Sequence, residues 1–160
     1  MARKNVKTFF KRSSKNWSHE NKGCAMLFGN SQINTFYQAG SIVVPSVTTQ
    51  GSRTVGNFSI TVPVPNDLQY VWALVYVPQG TSANNLFATT GGIEGSVYEP
   101  NQYVIATGIN DGNAGPIRIR SKMQRRLHSG DFVSLIIGCQ TDSVANSYAQ
   151  AIVSYSIKYN

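Results

Sequence analysis

Residues 70–77 read YVWALVYV, apolar or aromatic at every position. The run has strand length and is rich in β-branched and aromatic residues, which fit a pleated, packed surface. Because successive side chains of a strand point to opposite faces, both faces here are apolar. The reading is a central strand covered on each side, in the sheet and at a subunit contact. Trp72 is read as core. At eight residues the run is far too short to span a bilayer, and no membrane insertion is expected.

Working outward, the chain from about residue 24 carries all-β punctuation: short β-branched or aromatic runs separated by Gly, Pro, Asn, Ser and Thr. No helical period of any length appears. The expected strands are Cys24–Asn30, Ile33–Val44, Arg53–Val62, Tyr70–Val77, Gln102–Gly108, Pro116–Met123, Phe132–Cys139 and Ala149–Lys158. The prolines of TVPVPN (61–66) end one strand, and NDGNAG (110–115) reads as a hairpin turn through its Asp-Gly. About eight strands without helices between them predict an all-β, two-sheet sandwich, the jelly roll being its commonest eight-strand form, with a closed barrel as competitor.

The stretch IRIRSKMQRR (117–126) alternates. Alternation places Ile117, Ile119 and Met123 on the core face and Arg118, Arg120 and Lys122 on the other, the basic side chains spaced by about 7 Å. Phosphates of an extended single strand are spaced similarly, so the ladder can track a nucleic-acid backbone. An ordinary solvated face, or pairing with a neighbouring subunit, is the alternative.

Charge is distributed unevenly. Of the net +7 on 160 residues, residues 1–22 carry six: Arg3, Lys4, Lys7, Lys11, Arg12, Lys15 and Lys22 against Glu20 alone. Residues 1–22 are therefore read as a basic nucleic-acid-binding arm and 23–160 as a nearly neutral jelly-roll body. A basic arm on a neutral body indicates attraction to polyanions. Arg3, Lys7, Lys11 and Lys15 would stack on one face of a helix, with Val6, Phe9, Phe10 and Trp17 opposite. Like charges at i,i+4 leave such a helix unstable until phosphates neutralise it.

No catalytic constellation, cofactor or metal site is read. His19 and His128 lack an evident supporting residue; GGIEG (91–95) lacks the lysine and spacing of a phosphate loop. Asp111, Asn113 and Gly115 imitate the start of a calcium loop, but Lys122 stands where its glutamate is required. Cys24 and Cys139 are too few for a disulfide framework.

Three stretches, VWALVYVPQGT (71–81), YEPNQYVIATGI (98–109) and RIRSKMQRRLHSGDFVSLIIG (118–138), resemble the capsid proteins of small circular single-stranded DNA viruses that encode a replication initiator. The resemblance covers about half the chain, residues 71–138, and implies a single jelly roll assembling into a small icosahedral shell of about sixty copies. Its partners would be copies of itself and single-stranded DNA, and its location the virion. Only the basic arm is carried over residue by residue, and it departs from the family's arginine-rich pattern by being lysine-heavy and interrupted by Phe9, Phe10 and Trp17. The competing readings are a trimeric receptor-binding jelly roll of the tumour-necrosis-factor or C1q kind, through LHSGDFVSL (127–135), a non-assembling single-strand binder, and a lectin-like sandwich.

Overall fold

The computed structural model describes residues 17–28, 35–64, 69–81, 103–141 and 147–160. Expectations for residues 1–16, for GGIEG and for residues 98–102 of the second resembling stretch lie outside the described residues.

Among the described residues, nine strands form: β1 (Ser18–Phe28), β2 (Thr35–Val44), β3 (Arg53–Val62), β4 (Gln69–Val77), β5 (Val104–Asp111), β6 (Ile117–Ser121), β7 (Arg125–Leu127), β8 (Phe132–Thr141) and β9 (Ser147–Tyr159). The first sheet runs β1-β9-β3-β6, with β7 also on β3; the second runs β2-β8-β4-β5. The pairs are antiparallel throughout. β1 to β4 enter the two sheets in turn, β5 joins β4, and the chain then returns through β6 and β7, β8 and β9. This is jelly-roll connectivity, arranged as two facing sheets.

The main core fills the space between the sheets. Phe58, Ile60 and Val62 of β3, Ile117 and Ile119 of β6 and Val153 of β9 face Tyr70 and Leu74 of β4 and Leu135 and Ile137 of β8. Phe58 and Tyr155 rings meet at 6.2 Å. β4 is central and covered on both faces: Tyr70 and Leu74 join this core, whereas Ala73, Val75 and Val77 cluster with Ile136 on the other side. Trp72 is half-buried against the core. Its ring lies over its register partner Gly108, where any Cβ would come within 2.4 Å of the indole.

Four expectations require correction. NDGNAG makes no hairpin, because β5 and β6 belong to different sheets. It is a crossing, in which Gly112–Ala114 form a 3-10 turn, Asn113 N donates to Asp111 Oδ1 (3.1 Å) and Gly115 takes φ 83°. Met123 is 46% exposed rather than core. Pairing to β3 breaks there: β6 pairs with Phe58–Val62, β7 with Arg53–Val55, and residues 122–124 pass the irregular Gly56–Ser59 segment between them. The first sheet begins at Ser18, well before Cys24, because Ser18–Lys22 pair with Val153–Ile157 of β9. Lys22 and His19, assigned to the arm, are therefore sheet residues. The short β7 was absent from the expected strands, since RRL carries no alternation of its own.

Candidate nucleic-acid interface

The outer face of the first sheet carries the basic ladder. Ile117 and Ile119 are buried, and Arg118 and Arg120 between them are exposed, as the alternation requires. Register extends each arginine into a polar row. Arg120 lies opposite Ser59, Ser59 opposite Ser154, and Ser154 opposite Asn21; Arg118 lies opposite Thr61, which faces Ile152 and then Gly23. Ser154 Oγ donates to Asn21 Oδ1 at 2.7 Å. A second network crosses three strands, with Asn57 Nδ2 donating to Ser156 Oγ (3.3 Å) and Ser156 Oγ lying 3.2 Å from His19 Nδ1.

Lys122 joins Arg120 by a different route from strand alternation. It follows the end of β6, where a groove of about 390 Å³ is lined by Asn57, Ser59, Arg120, Ser121 and Lys122, with Phe58 at its floor. The groove follows from the irregularity in β3: Asn57, at φ 54°, is the one non-glycine residue at positive φ among the described residues. Asn tolerates that conformation, and a bulge there re-aims the neighbouring side chains. Nothing in the run GNFS announces it.

Chemically, this face offers two cations on one strand, a third at the groove, and hydroxyl and amide groups beside them. Such groups hold phosphate and sugar without reading bases. Ile152, 64% exposed, adds a large apolar side chain to this face. Lys22 is not part of the constellation: it shares the inward parity of Cys24 and Met26, and its Nζ donates to Ile42 O at 3.3 Å across to the second sheet. Arg3, Lys4, Lys7, Lys11, Arg12 and Lys15 lie outside the described residues.

The stretch LHSGDFVSL has a local account. Asp131 is 5% exposed, and its carboxylate accepts from His128 N (2.7 Å), Gln79 N (3.0 Å) and Tyr76 Oη (2.7 Å). Burial pushes this carboxyl up, but the three donors outweigh it and hold it below its ordinary value. Tyr76 is pushed up to about 12 by burial and by the carboxylate it serves. Gly130, at φ 82°, completes the turn. Sequence reasoning gave Asp131 no role of its own and missed that it ties β4 to the β7–β8 turn; the Ser-Gly-Asp run before a strand was the available signal.

Cys24 and Cys139 are free and buried, and burial pushes the Cys139 thiol up. Among the described residues, no group of three His, Cys, Asp or Glu side chains could hold a metal ion. No helix among them is long and apolar enough to cross a membrane.

No protein-family profile matches this chain, and no curated protein matches it. Among solved structures it is similar to that of infectious bursal disease virus Gx strain, with 8% identity and a TM-score of 0.27 over 89% of this chain and 31% of the other. It is also similar to infectious bursal virus derived T=1 particles, with 13% identity and a TM-score of 0.18 over 88% and 40% of the two chains. The chain thus spans less than half the length of either. Both structures come from a virus, but TM-scores this low carry no argument, and the jelly roll rests on the strand order itself.

Proposed function

We propose that this protein is a shell-forming subunit that assembles with copies of itself and packages single-stranded nucleic acid, with DNA the expected genome and the virion its location. The observation carrying the reading is the placement of Arg118 and Arg120 side by side on the outer face of the first sheet, with Lys122 at the adjoining groove. β1 belongs to this same sheet, so the basic residues 1–16 lead directly into it. Sheet and arm can then engage one strand, the arm supplying charge and the face fixing where phosphates lie. Assembly is supported by the second sheet, on whose outer face Ile42 and Ile109 stand exposed beside the covered patch of Ala73, Val75, Val77 and Ile136.

The test is the purified full chain, sized by light scattering, with its 260 to 280 nm absorbance ratio measured. Uniform closed particles that carry nucleic acid are expected. Replacing Arg118, Arg120 and Lys122 by Ser should lower the nucleic-acid content while leaving particles intact. A monodisperse monomer under all assembly-permissive salt and pH conditions would overturn the reading. If the triple variant folds but cannot assemble, those side chains are subunit contacts instead.

A further inference from the structure

We infer that a second anion site, separate from the Arg118–Lys122 groove, lies at the end of the sandwich around Arg53 and takes a phosphate group. Arg53 opens β3 on the parity of Val55, so its side chain enters the sandwich, and it is 3% exposed. A guanidinium stays charged at every accessible pH. Among the described residues its Nη2 donates to the carbonyl oxygens of Pro45 and of Asp131 (3.2 Å), and its buried Nε has no partner. Neither carbonyl is a counter-ion.

The carboxylate beside it is committed elsewhere. The Asp131 carboxylate is occupied by Tyr76, Gln79 and His128. Glu20 sits opposite Tyr155, whereas Arg53 pairs with Tyr159 a full turn of pleats further along β9. Of the neighbouring cations, Arg125 pairs with Val55 and shares the parity of Arg53, whereas Arg126 and Lys158 pair with Thr54 and point to the outer face. A buried cation without compensation is costly, and an anion from outside would remove that cost.

Beside Arg53 opens a pocket of about 180 Å³, whose walls include Thr49, Gln50, Ser52, His128 and Asn160 and contain no carboxylate side chain. Its rim is already braced. Gly130 N donates to Val47 O (2.9 Å), Asn160 N to Ser52 O (2.9 Å), and Asn160 Nδ2 to Thr54 Oγ1 (3.0 Å). Ser52 Oγ accepts from Arg126 Nε at 2.9 Å and from Asn160 Nδ2 at 3.5 Å. Side chains with hydroxyl, amide, imidazole and guanidinium groups thus line one pocket. A tetrahedral phosphate, with its several oxygens, uses such a spread better than a planar carboxylate does, and arginine is suited to it. The phosphate can be the free ion or a nucleic-acid backbone group.

The experiment titrates the full chain carrying R118S, R120S and K122S, which removes the groove's contribution, with inorganic phosphate at constant ionic strength in chloride. Saturable broadening of the phosphorus-31 resonance is expected, with Tm rising about 5 °C at a hundredfold excess over Kd. Arg53→Met should abolish both, though it can fail to fold. Thr49→Val alters only the pocket wall and should weaken phosphate about threefold at unchanged phosphate-free Tm. Short oligo-dT that displaces phosphate identifies a backbone group as occupant; oligo-dT that leaves phosphate bound identifies the free ion. Absence of saturable binding, equal affinity in the wall variant, or displacement by acetate at equal concentration would overturn the site.

Discussion

The two sheets of this sandwich share one core but present opposite outer surfaces. On the first, one register row runs through Arg120, Ser59, Ser154 and Asn21, and the next through Arg118, Thr61, Ile152 and Gly23. On the second, Val71, Ala73, Val75 and Val77 of β4 flank Ile136 and Gly138 of β8 and Val104 and Ile109 of β5, without a charge among them. Ala73, Val75, Val77 and Ile136 are buried there, while Ile109 is 77% and Ile42 51% exposed. An apolar surface of this kind is stable only when covered, whereas the hydroxyl and guanidinium surface is at ease in water or against phosphate. The asymmetry gives the two outer faces different surroundings: the patch around β4 is already buried within the single chain, whereas Arg118, Arg120 and Ser59 are open.

The sharpest way to break this comparison is to charge the apolar side. Val75→Asp would bury a carboxylate in the apolar cluster of Ala73, Val77 and Ile136, at a cost of about 4 kcal/mol or more. Ser59→Glu on the opposite face should cost only about 0.5 kcal/mol. Urea unfolding of the two variants measures the difference directly. Equal losses would mean that the outer faces are not distinct environments.

Next in size is the tie between the sheets at their shared end. Asp131→Asn keeps the shape but no longer serves three donors as an anion, and should cost about 1–3 kcal/mol. The sign with pH follows from the depressed carboxyl. Its contribution is complete above the unfolded value of 3.8 and is lost as pH falls through the lower folded value, so the stabilities of variant and parent should converge below 3.8. Tyr76 acts at the other extreme: raised to about 12, it contributes below the unfolded value of 10.0 and loses that contribution as pH rises towards 12. Tyr76→Phe should therefore lessen the drop in stability between pH 10 and 12, read by urea midpoints across a pH series.

Much of this contrast was legible beforehand. YVWALVYV announced a strand covered twice, and the alternation of Ile117, Arg118, Ile119 and Arg120 announced one solvent-facing ladder. What escaped was set by pairing over long sequence distances. Polar SHENK (18–22) is a strand only because β9 lies beside it, and Met123 leaves the core only because β3 is irregular opposite it. NDGNAG carries hairpin chemistry, yet its flanking strands find partners in different sheets. Local turn preference specifies a bend without specifying what the next strand joins.

A smaller effect tests the covered side from within. Gly108→Ala places a methyl against the Trp72 ring, which is half-buried and has some room to shift, so a loss of about 1–2 kcal/mol is expected. Combining it with Trp72→Leu should recover most of that loss, because the clash is with the ring alone. A double-mutant cycle by thermal unfolding checks the recovery, and independent, additive losses would show that the two residues do not meet.

The smallest stability effect belongs to the basic side, where the functional effect should be largest. Replacing Arg118, Arg120 and Lys122 by Ser changes exposed side chains and should move the unfolding free energy by no more than about 0.5 kcal/mol. Each cation that touches a phosphate contributes about 0.7 to the slope of log affinity against log salt for single strands, so the triple variant should lose about two units. The arm is separable by the same measurement. Removing residues 1–16 takes away Arg3, Lys4, Lys7, Lys11, Arg12 and Lys15 and should flatten the slope by about four units at unchanged stability. Removing 1–22 also deletes Ser18–Lys22, the pairing of β1 with Val153–Ile157, and the Lys22 bond to Ile42, so this longer truncation should lose stability as well as slope. If both truncations are equally stable, the first half of β1 does not hold the sheet together. An unchanged slope on losing 1–16 would leave Arg118, Arg120 and Lys122 as the whole contact with the strand.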